Sequence, residues 1–155
     1  MLALTRKTEY ALIAVCHMAR VGDRIVSARD IADAYKVPLP LLMNVLKSLN
    51  HCGLVRSVRG ARGGYSLAVP PERLSLATLL EAVEGPLRLV RCVPSNGESD
   101  ESCELIGSCP IRYPVHKLHD KLRAFLDNFS VAELAFDDWD GDARHPYKAL
   151  SVLVQ

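Results

Sequence analysis

The sequence lacks the features that mark several large classes of protein. No segment approaches the ~18 consecutive apolar residues of a membrane-spanning helix, and the N-terminus begins a periodic pattern instead of a signal peptide. A Walker-type phosphate loop, a close Cys-x-x-Cys motif and a nucleophile–base pair are all missing. With 49% hydrophobic and 24% charged residues, the chain can build a core, which excludes disorder throughout and a collagen-like repeat. We therefore expect a cytoplasmic protein that is not an enzyme.

The net charge is also close to zero, at +1 over 155 residues, but the positive and negative residues are unevenly distributed along the chain. Residues 1–73 hold 11 Lys and Arg against 5 Asp and Glu, a net charge of +6, whereas the remaining residues carry −5. Such asymmetry indicates an anion-binding N-terminal module joined to a segment with a different task.

Hydrophobic periodicity in the basic half predicts three helices and a hairpin. The helices are expected at about 5–21, after a Ser27 cap, and at about 39–52, where Gly53 supplies the stop. Two short strand-like runs follow at 54–58 and 65–69, joined by the glycine-rich connector 59–64. This order describes a winged helix-turn-helix, so the predicted fold class is mainly α with a small β-hairpin wing.

The acidic half contains another helix, a long loop and a second, longer helix. Ser75 is expected to cap the first of these helices, and the loop extends from about residue 87 to residue 110. The long helix carries apolar residues at three- and four-residue steps: Val115, Leu118, Leu122, Phe125, Leu126 and Phe129. One small domain cannot cover so broad an apolar face, so we expect the chain to self-associate.

The DNA-binding candidates lie on the third helix and on the wing. In this fold the second motif helix meets base edges, while cations on the wing approach the phosphates or the minor groove. Asn44 suits base readout because its amide donates and accepts at once, as adenine requires. Each wing arginine taken alone is better explained as a solvated turn residue, whereas the whole arrangement favours DNA. The candidates are Pro40, Asn44, Lys47, Arg56, Arg59 and Arg62.

Three of the five cysteines fall within or at the end of the long loop. Cys92, Cys103 and Cys109 are too far apart for the usual paired spacing of a zinc site, and their soft thiolates suit an iron–sulfur cluster. Incidental thiols or a redox disulfide remain as alternatives. Candidates for a fourth ligand are Glu9, Glu104, His116 and His119, although each histidine alone is more typical of an exposed helix position. Cys16 and Cys52 lie on apolar stripes and are expected in the core.

The chain resembles the Rrf-two (Rrf2) family of bacterial winged-helix regulators over about residues 1–135. This family includes an iron–sulfur cluster regulator, a nitric-oxide-sensitive repressor and an iron-responsive rhizobial regulator. The loop cysteines and the long helix match, together with five shorter motifs. These motifs are Thr8-Glu9-Tyr10-Ala11-Leu12, Val37-Pro38 leading to Leu42, Leu46 and Leu49, Gly53-Leu54-Val55, Ser57-Val58-Arg59-Gly60 and Gly63-Gly64-Tyr65-Ser66-Leu67.

The resemblance implies a homodimeric repressor that binds a palindromic operator, inserts Arg59 into the minor groove and holds a cluster on its three loop cysteines. The iron–sulfur cluster regulator carries a histidine three residues after its last cysteine, where this chain has Arg112. In the nitric-oxide-sensitive branch, a first-helix carboxylate at the position of Glu9 reaches the partner's cluster. We therefore favour a 4Fe-4S cluster over a 2Fe-2S cluster, with Glu9 of the partner subunit as the fourth ligand.

These expectations divide the chain into a DNA-binding domain (1–73), a cluster-binding loop with a dimerisation helix (74–135) and a C-terminal tail (136–155). The predicted function is regulation of transcription in response to iron–sulfur status, nitric oxide or redox state. The alternative is a thiol- or metabolite-responsive regulator of the same family that has no cluster.

Overall fold

The computed structural model describes residues 4–60, 62–90, 103–105 and 107–136. Within these ranges the chain is mostly helical and carries one two-stranded hairpin, which confirms the predicted fold class. The elements in order are α1 (Arg6–Val21), α2 (Ala28–Tyr35), α3 (Leu39–His51), β1 (Val55–Val58), β2 (Gly64–Leu67), a 3₁₀ helix (Pro71–Arg73), α4 (Leu76–Glu84), α5 (Arg112–Asn128) and α6 (Val131–Phe136).

Local sequence signals set the ends of the short helices. The Ser27 hydroxyl oxygen accepts a hydrogen bond from the Asp30 backbone N–H (3.0 Å), which caps α2 as predicted. Ser75 caps α4 in the same way, by accepting from the Thr78 N–H at 3.2 Å. Lys36 ends α2 in the left-handed conformation, at φ 56°.

The wing is an antiparallel hairpin whose register pairs Val55 with Leu67 and Val58 with Gly64. Val26 forms an isolated β-bridge with the hairpin, because its N–H and C=O both bond to the backbone of Tyr65 (2.9 and 2.8 Å). This pairing brings the backbones so close that a Cβ on Gly64 would collide with the Val26 carbonyl. The glycine therefore allows the hairpin to dock against the segment between α1 and α2.

A single hydrophobic core extends across both halves of the chain. Helix α1 is central to it and packs against α3, α4 and α6. The core contains Met18, Ile31 and Leu46 from the N-terminal part and Leu79 and Val131 from the rest, all fully buried. The hydrophobic core therefore crosses residue 73, where the composition changes.

Helix α6 is an element that the hydrophobic pattern did not reveal. Ser130 and Glu133 form a reciprocal capping box: the Glu133 carboxylate accepts from the Ser130 N–H (2.7 Å), and the Ser130 oxygen accepts from the Glu133 N–H (3.2 Å). The helix lies against α1, where the Arg20 guanidinium donates to the Ala135 carbonyl (2.7 Å). It therefore covers part of the central helix.

None of the helices in the described ranges is both long and apolar enough to cross a bilayer.

Candidate nucleic-acid interface and cysteine loop

The predicted base-reading residues lie on the outer face of α3. Leu42, Leu46 and Leu49 point inward and are fully buried, as their spacing predicts. Pro40, Asn44 and Lys47 are exposed, and their four- and three-residue spacing places them on one side of the helix. The structure therefore keeps all three available to a partner.

A groove beside this face contains residues that sequence reasoning did not single out. It has a volume of about 300 Å³, and Arg6, Lys7 and Tyr10 of α1 line it together with Asn44. The only indication of this groove in the sequence is the pair of adjacent cations at the start of α1. Two cations thus stand beside a candidate base-reading amide, where a phosphate that flanks the bases would compete with the contacts that both cations already make within the chain.

The wing presents two of its arginines beside its turn. Arg59 and Arg62 are both exposed, and Gly60 between them has a φ of +123°, which an L side chain rarely adopts. Arg56 is also exposed but stands in β1, three residues before Arg59, where it lines a cavity at the base of the hairpin. The three arginines thus divide between the tip and the base of the wing.

Two of the three loop cysteines fall within the described residues. Cys103 and Cys109 are half-buried free thiols, and Cys92 lies outside the described ranges. The chain around them is turned tightly: the Ser108 N–H donates to the Leu105 carbonyl at 3.0 Å, and the Arg112 N–H to the Cys109 carbonyl at 3.4 Å. Cys109 therefore leads directly into α5.

The donor chemistry of these thiols fits an iron–sulfur cluster, since soft thiolates are its usual ligands. Within the described residues, however, no three His, Cys, Asp or Glu side chains come together as a metal-binding group. A complete set of cluster ligands would therefore need residues outside the described ranges or residues of a second chain.

The candidate fourth ligands differ in their surroundings. Glu9 is 43% exposed on α1 and forms an ion pair with Arg6 (3.0 Å). Glu104 is exposed. The expectation that both histidines are exposed is wrong: His119 is only 6% exposed and His116 is half-buried, because α5 packs this side against α4. Within the described structure, His116 Nε2 and His119 Nδ1 are buried without a hydrogen-bond partner.

The start of α1 is tied to the end of α4, close to where the chain departs towards the cysteine loop. The Thr5 and Thr8 hydroxyls both donate to Glu84 Oε1, the latter at 2.7 Å, and the Lys7 ammonium donates to the Val83 carbonyl. These hydroxyl hydrogen bonds, Thr5 first, hold the pKa of the Glu84 carboxyl below its usual value. This arrangement, here called the α1–α4 junction, connects the root of the loop to the helix that packs on α3.

The two cysteines outside the loop have different environments. Cys16 packs against the core, and burial raises the pKa of its thiol despite the nearby Arg20. Placing Cys52 in the core is wrong, because it is exposed. Cys52 is the C-terminal cap residue of α3, and its position after the last helical turn takes it off the apolar stripe.

Among the residues that the structure describes, helix α5 is covered on one side only. Its Arg123 pairs with Glu81 of α4 (2.6 Å), which fixes the inner side. Leu118 and Phe125 are more than half exposed, as is Ile111 at the start of the helix, and these three residues recur every seven positions. Side chains spaced in this way fall on one line along a helix, as in the seam of a coiled coil.

Comparisons with known proteins agree with this geometry. The Rrf2 family model, described as an iron-dependent transcriptional regulator, matches residues 4–137. An HTH-type transcriptional regulator of Aquifex aeolicus (strain VF5) is 29% identical over 125 residues, which cover 81% of this chain and 85% of the relative.

Two solved structures share the architecture over nearly their whole length. CymR (YrzC), the global cysteine regulator of B. subtilis, is 25% identical with a TM-score of 0.68, and the match covers 89% of this chain and 99% of CymR. IscR of T. potens has a TM-score of 0.68 and covers 96% of both chains, and its 24% identity supports a common fold.

Proposed function

Because the chain belongs to the Rrf2 family of transcriptional regulators, we propose that it is a cytoplasmic, homodimeric repressor that binds a palindromic operator and senses its signal through an iron–sulfur cluster. Family members are DNA-binding regulators, so the chain is a transcriptional regulator and not an enzyme. The observation that carries the cluster proposal is the pair of free thiols, Cys103 and Cys109, on a turn that leads into α5.

DNA binding is proposed to use α3 and the wing together. Asn44 would read a base edge, flanked by Pro40 and Lys47 on the same exposed face. Arg59 and Arg62 would enter or border the adjacent minor groove, and Arg56 would extend the positive edge towards the base of the hairpin. The net charge of +6 over residues 1–73 supports phosphate attraction across this whole surface.

The dimer is proposed to form along the exposed line of α5. Ile111, Leu118 and Phe125 present an apolar seam, and antiparallel or parallel pairing of two such helices would bury it. Two-fold symmetry would place two copies of α3 and the wing on one face of a DNA duplex, which is the geometric reason to expect a palindromic operator.

The cluster is proposed to bind to Cys92, Cys103 and Cys109, with Glu9 of the partner subunit as the fourth ligand, and to be of the 4Fe-4S type. When bound, the cluster supplies iron that reacts with oxidants and nitric oxide. The protein would supply three thiolates from separate positions in the chain, and their binding to one cluster would fix these positions relative to one another.

The α1–α4 junction provides a physical route from the loop to DNA. Thr8 on α1 and Glu84 on α4 are hydrogen-bonded at 2.7 Å, and α1 also packs against α3. A change in the loop root at residues 85–90 would therefore bias the position of α1 and of the base-reading helix. The effect of the cluster on the free energy of operator binding would equal the difference in cluster-binding free energy between the DNA-bound and the DNA-free protein.

An anaerobic absorption spectrum with iron and sulfide analysis tests the cluster. We expect iron, acid-labile sulfide and a charge-transfer band in the wild-type protein, all of which are lost in Cys103→Ala. Cys52→Ala is the matched control, because Cys52 is an exposed thiol away from the loop and its loss should leave the spectrum unchanged. Absence of iron and sulfide from anaerobically purified protein would refute the proposal.

The wing is tested separately by Arg59→Ala, measured as affinity for an operator selected from random DNA. Loss of one good groove contact should weaken specific binding by about 1 to 3 kcal/mol, or about 5- to 150-fold. Arg73→Ala removes an equal charge from the 3₁₀ helix, and we expect a smaller, sequence-independent change. Equal effects of the two substitutions would show that Arg59 makes no specific contact.

A regulator without a cluster is the second candidate. The observation in its favour is the similarity to the cysteine regulator CymR across 99% of that chain. In this case Cys103 and Cys109 would act as thiols, and DNA affinity would follow oxidation or a small metabolite in protein that contains no iron. Operator binding measured with chelator-treated protein, with and without reductant, distinguishes the two candidates.

A further inference from the structure

A cavity lies at the base of the wing and shares Arg56 with the proposed DNA-binding surface. Its volume is about 360 Å³, within the range of small-molecule sites. It is open to solvent on one side and lined by the end of α1, the 3₁₀ helix, the hairpin strands with the segment that follows them, and the end of α6. Neither α3 nor the described loop cysteines contribute to it. We refer to it as the wing-base cavity.

Three charged side chains of both signs line the wing-base cavity. Arg56 comes from β1, Asp23 from the turn after α1 and Glu72 from the 3₁₀ helix. Among the residues that the structure describes, none of these side chains forms a hydrogen bond or an ion pair. Unpaired groups of opposite charge in one concave site can each take a complementary group of a ligand.

The rest of the lining is apolar. Met18 of α1 is fully buried, Leu67 lies at the end of β2, and Phe136 stands at the rim with 52% of its surface exposed. An aliphatic chain placed between these side chains would lose contact with water, which favours binding in proportion to the apolar area removed. The site thus combines one cation and two carboxylates with an apolar wall.

We propose that the wing-base cavity binds an α-amino acid with a basic side chain. The Arg56 guanidinium matches a carboxylate, because its fork can donate two parallel hydrogen bonds. Asp23 and Glu72 match the α-ammonium and the side-chain cation, and the aliphatic stem lies against Leu67 and Phe136. The net charge of −1 over the three charged side chains complements the net charge of +1 on such a ligand.

Binding would connect the wing to the helical body. The ligand would contact β1 and β2 on one side and the ends of α1 and α6 on the other, so it would stabilise the docked hairpin. A ligand that binds only the folded state raises its apparent stability according to its free concentration and dissociation constant. Thermal unfolding therefore reports occupancy without any need for DNA or a cluster.

The test compares three probes in thermal unfolding and calorimetry: L-lysine, cadaverine, which lacks the carboxylate, and L-norleucine, which lacks the side-chain ammonium. We expect L-lysine to raise the Tm saturably and the other two to bind at least about 10-fold more weakly, the effect of one lost polar contact. Absence of a saturable shift with L-lysine up to about 10 mM, or equal shifts with all three probes, overturns the proposal.

Variants assign the effect to the wing-base cavity. Arg56→Met should abolish the preference for L-lysine over cadaverine, and Asp23→Asn should weaken L-lysine binding. Arg24→Met is the matched control, since Arg24 is exposed nearby but does not line the cavity. Arg56→Lys, which retains the charge without the fork, serves if Arg56→Met fails to fold. If Arg56→Lys and Asp23→Asn both leave L-lysine binding unchanged, the ligand binds elsewhere and the proposal is overturned.

Discussion

The exposed aromatic ring of Phe125 allows the dimer seam to be tested quantitatively. Phe125 is 59% exposed in the single chain, and a phenylalanine offers about 200 Å² in all, so about 120 Å² is available for burial against a partner. At about 25 cal/mol per Å², truncation to alanine would remove about 2–3 kcal/mol from each protomer's side of the interface. A symmetric dimer loses this twice, which corresponds to a rise in dissociation constant of about 10³- to 10⁴-fold.

Sedimentation equilibrium of Phe125→Ala measures this change directly. The contact of Phe125 with Phe129 (ring centroids 5.9 Å apart) is within one chain and affects monomer and dimer alike, so it cancels from the dissociation constant. Phe136→Ala is the control, because Phe136 is 52% exposed but lies on α6, off the seam. A dissociation constant that stays within tenfold of the wild-type value would show that α5 does not form the interface.

Three further predictions concern the monomer. Glu84→Gln should lower the free energy of unfolding by about 1 kcal/mol at neutral pH, since the carboxylate accepts from Thr8 at an exposed site. The folded state holds the Glu84 pKa below its usual value of 4.5, so the stability difference between wild type and Glu84→Gln should disappear as the pH falls through the folded-state pKa. Urea unfolding at a series of pH values measures this, and a difference that persists below that pKa would contradict the role of the carboxylate. His119→Leu should raise the free energy of unfolding by about 1 kcal/mol because it removes a buried unpaired nitrogen; a loss of stability would reveal a partner for that nitrogen. Alkylation followed by mass spectrometry should modify the exposed Cys52 before Cys16, whose thiol burial keeps protonated, and the reverse order would contradict the packing.

The parts of the fold that follow from local chemistry were predictable from the sequence. Ser27 and Ser75 cap their helices as expected. Each hydroxyl accepts from the free N–H three residues further along the chain, and this contact does not depend on the rest of the fold. The periodicity of apolar residues along α3 was enough to predict which side of the helix is buried. It therefore also predicted the exposed side, which carries Asn44. The glycines of the wing indicated the hairpin for the same local reason.

The features that depend on packing between distant elements were not predictable. His119 is buried because α5 presses one side against α4, and the spacing along α5 does not distinguish that side from the exposed seam. Helix α6 is too short for a periodic signal, although the Ser130–Glu133 capping box could have indicated its start. The groove containing Arg6 arises only when α1 and α3 come together.

The position of α6 on α1 has a consequence for synthesis on the ribosome. Arg20 and Ala135, which are hydrogen-bonded in the folded chain, are separated by 115 residues. At about 5–20 residues per second, translation needs about 6 to 23 s to supply the segment that covers α1. During that interval part of the apolar surface of the nascent N-terminal segment stays open to chaperones. A chain truncated before α6 would leave this part of α1 uncovered, and we expect such a fragment to be prone to degradation.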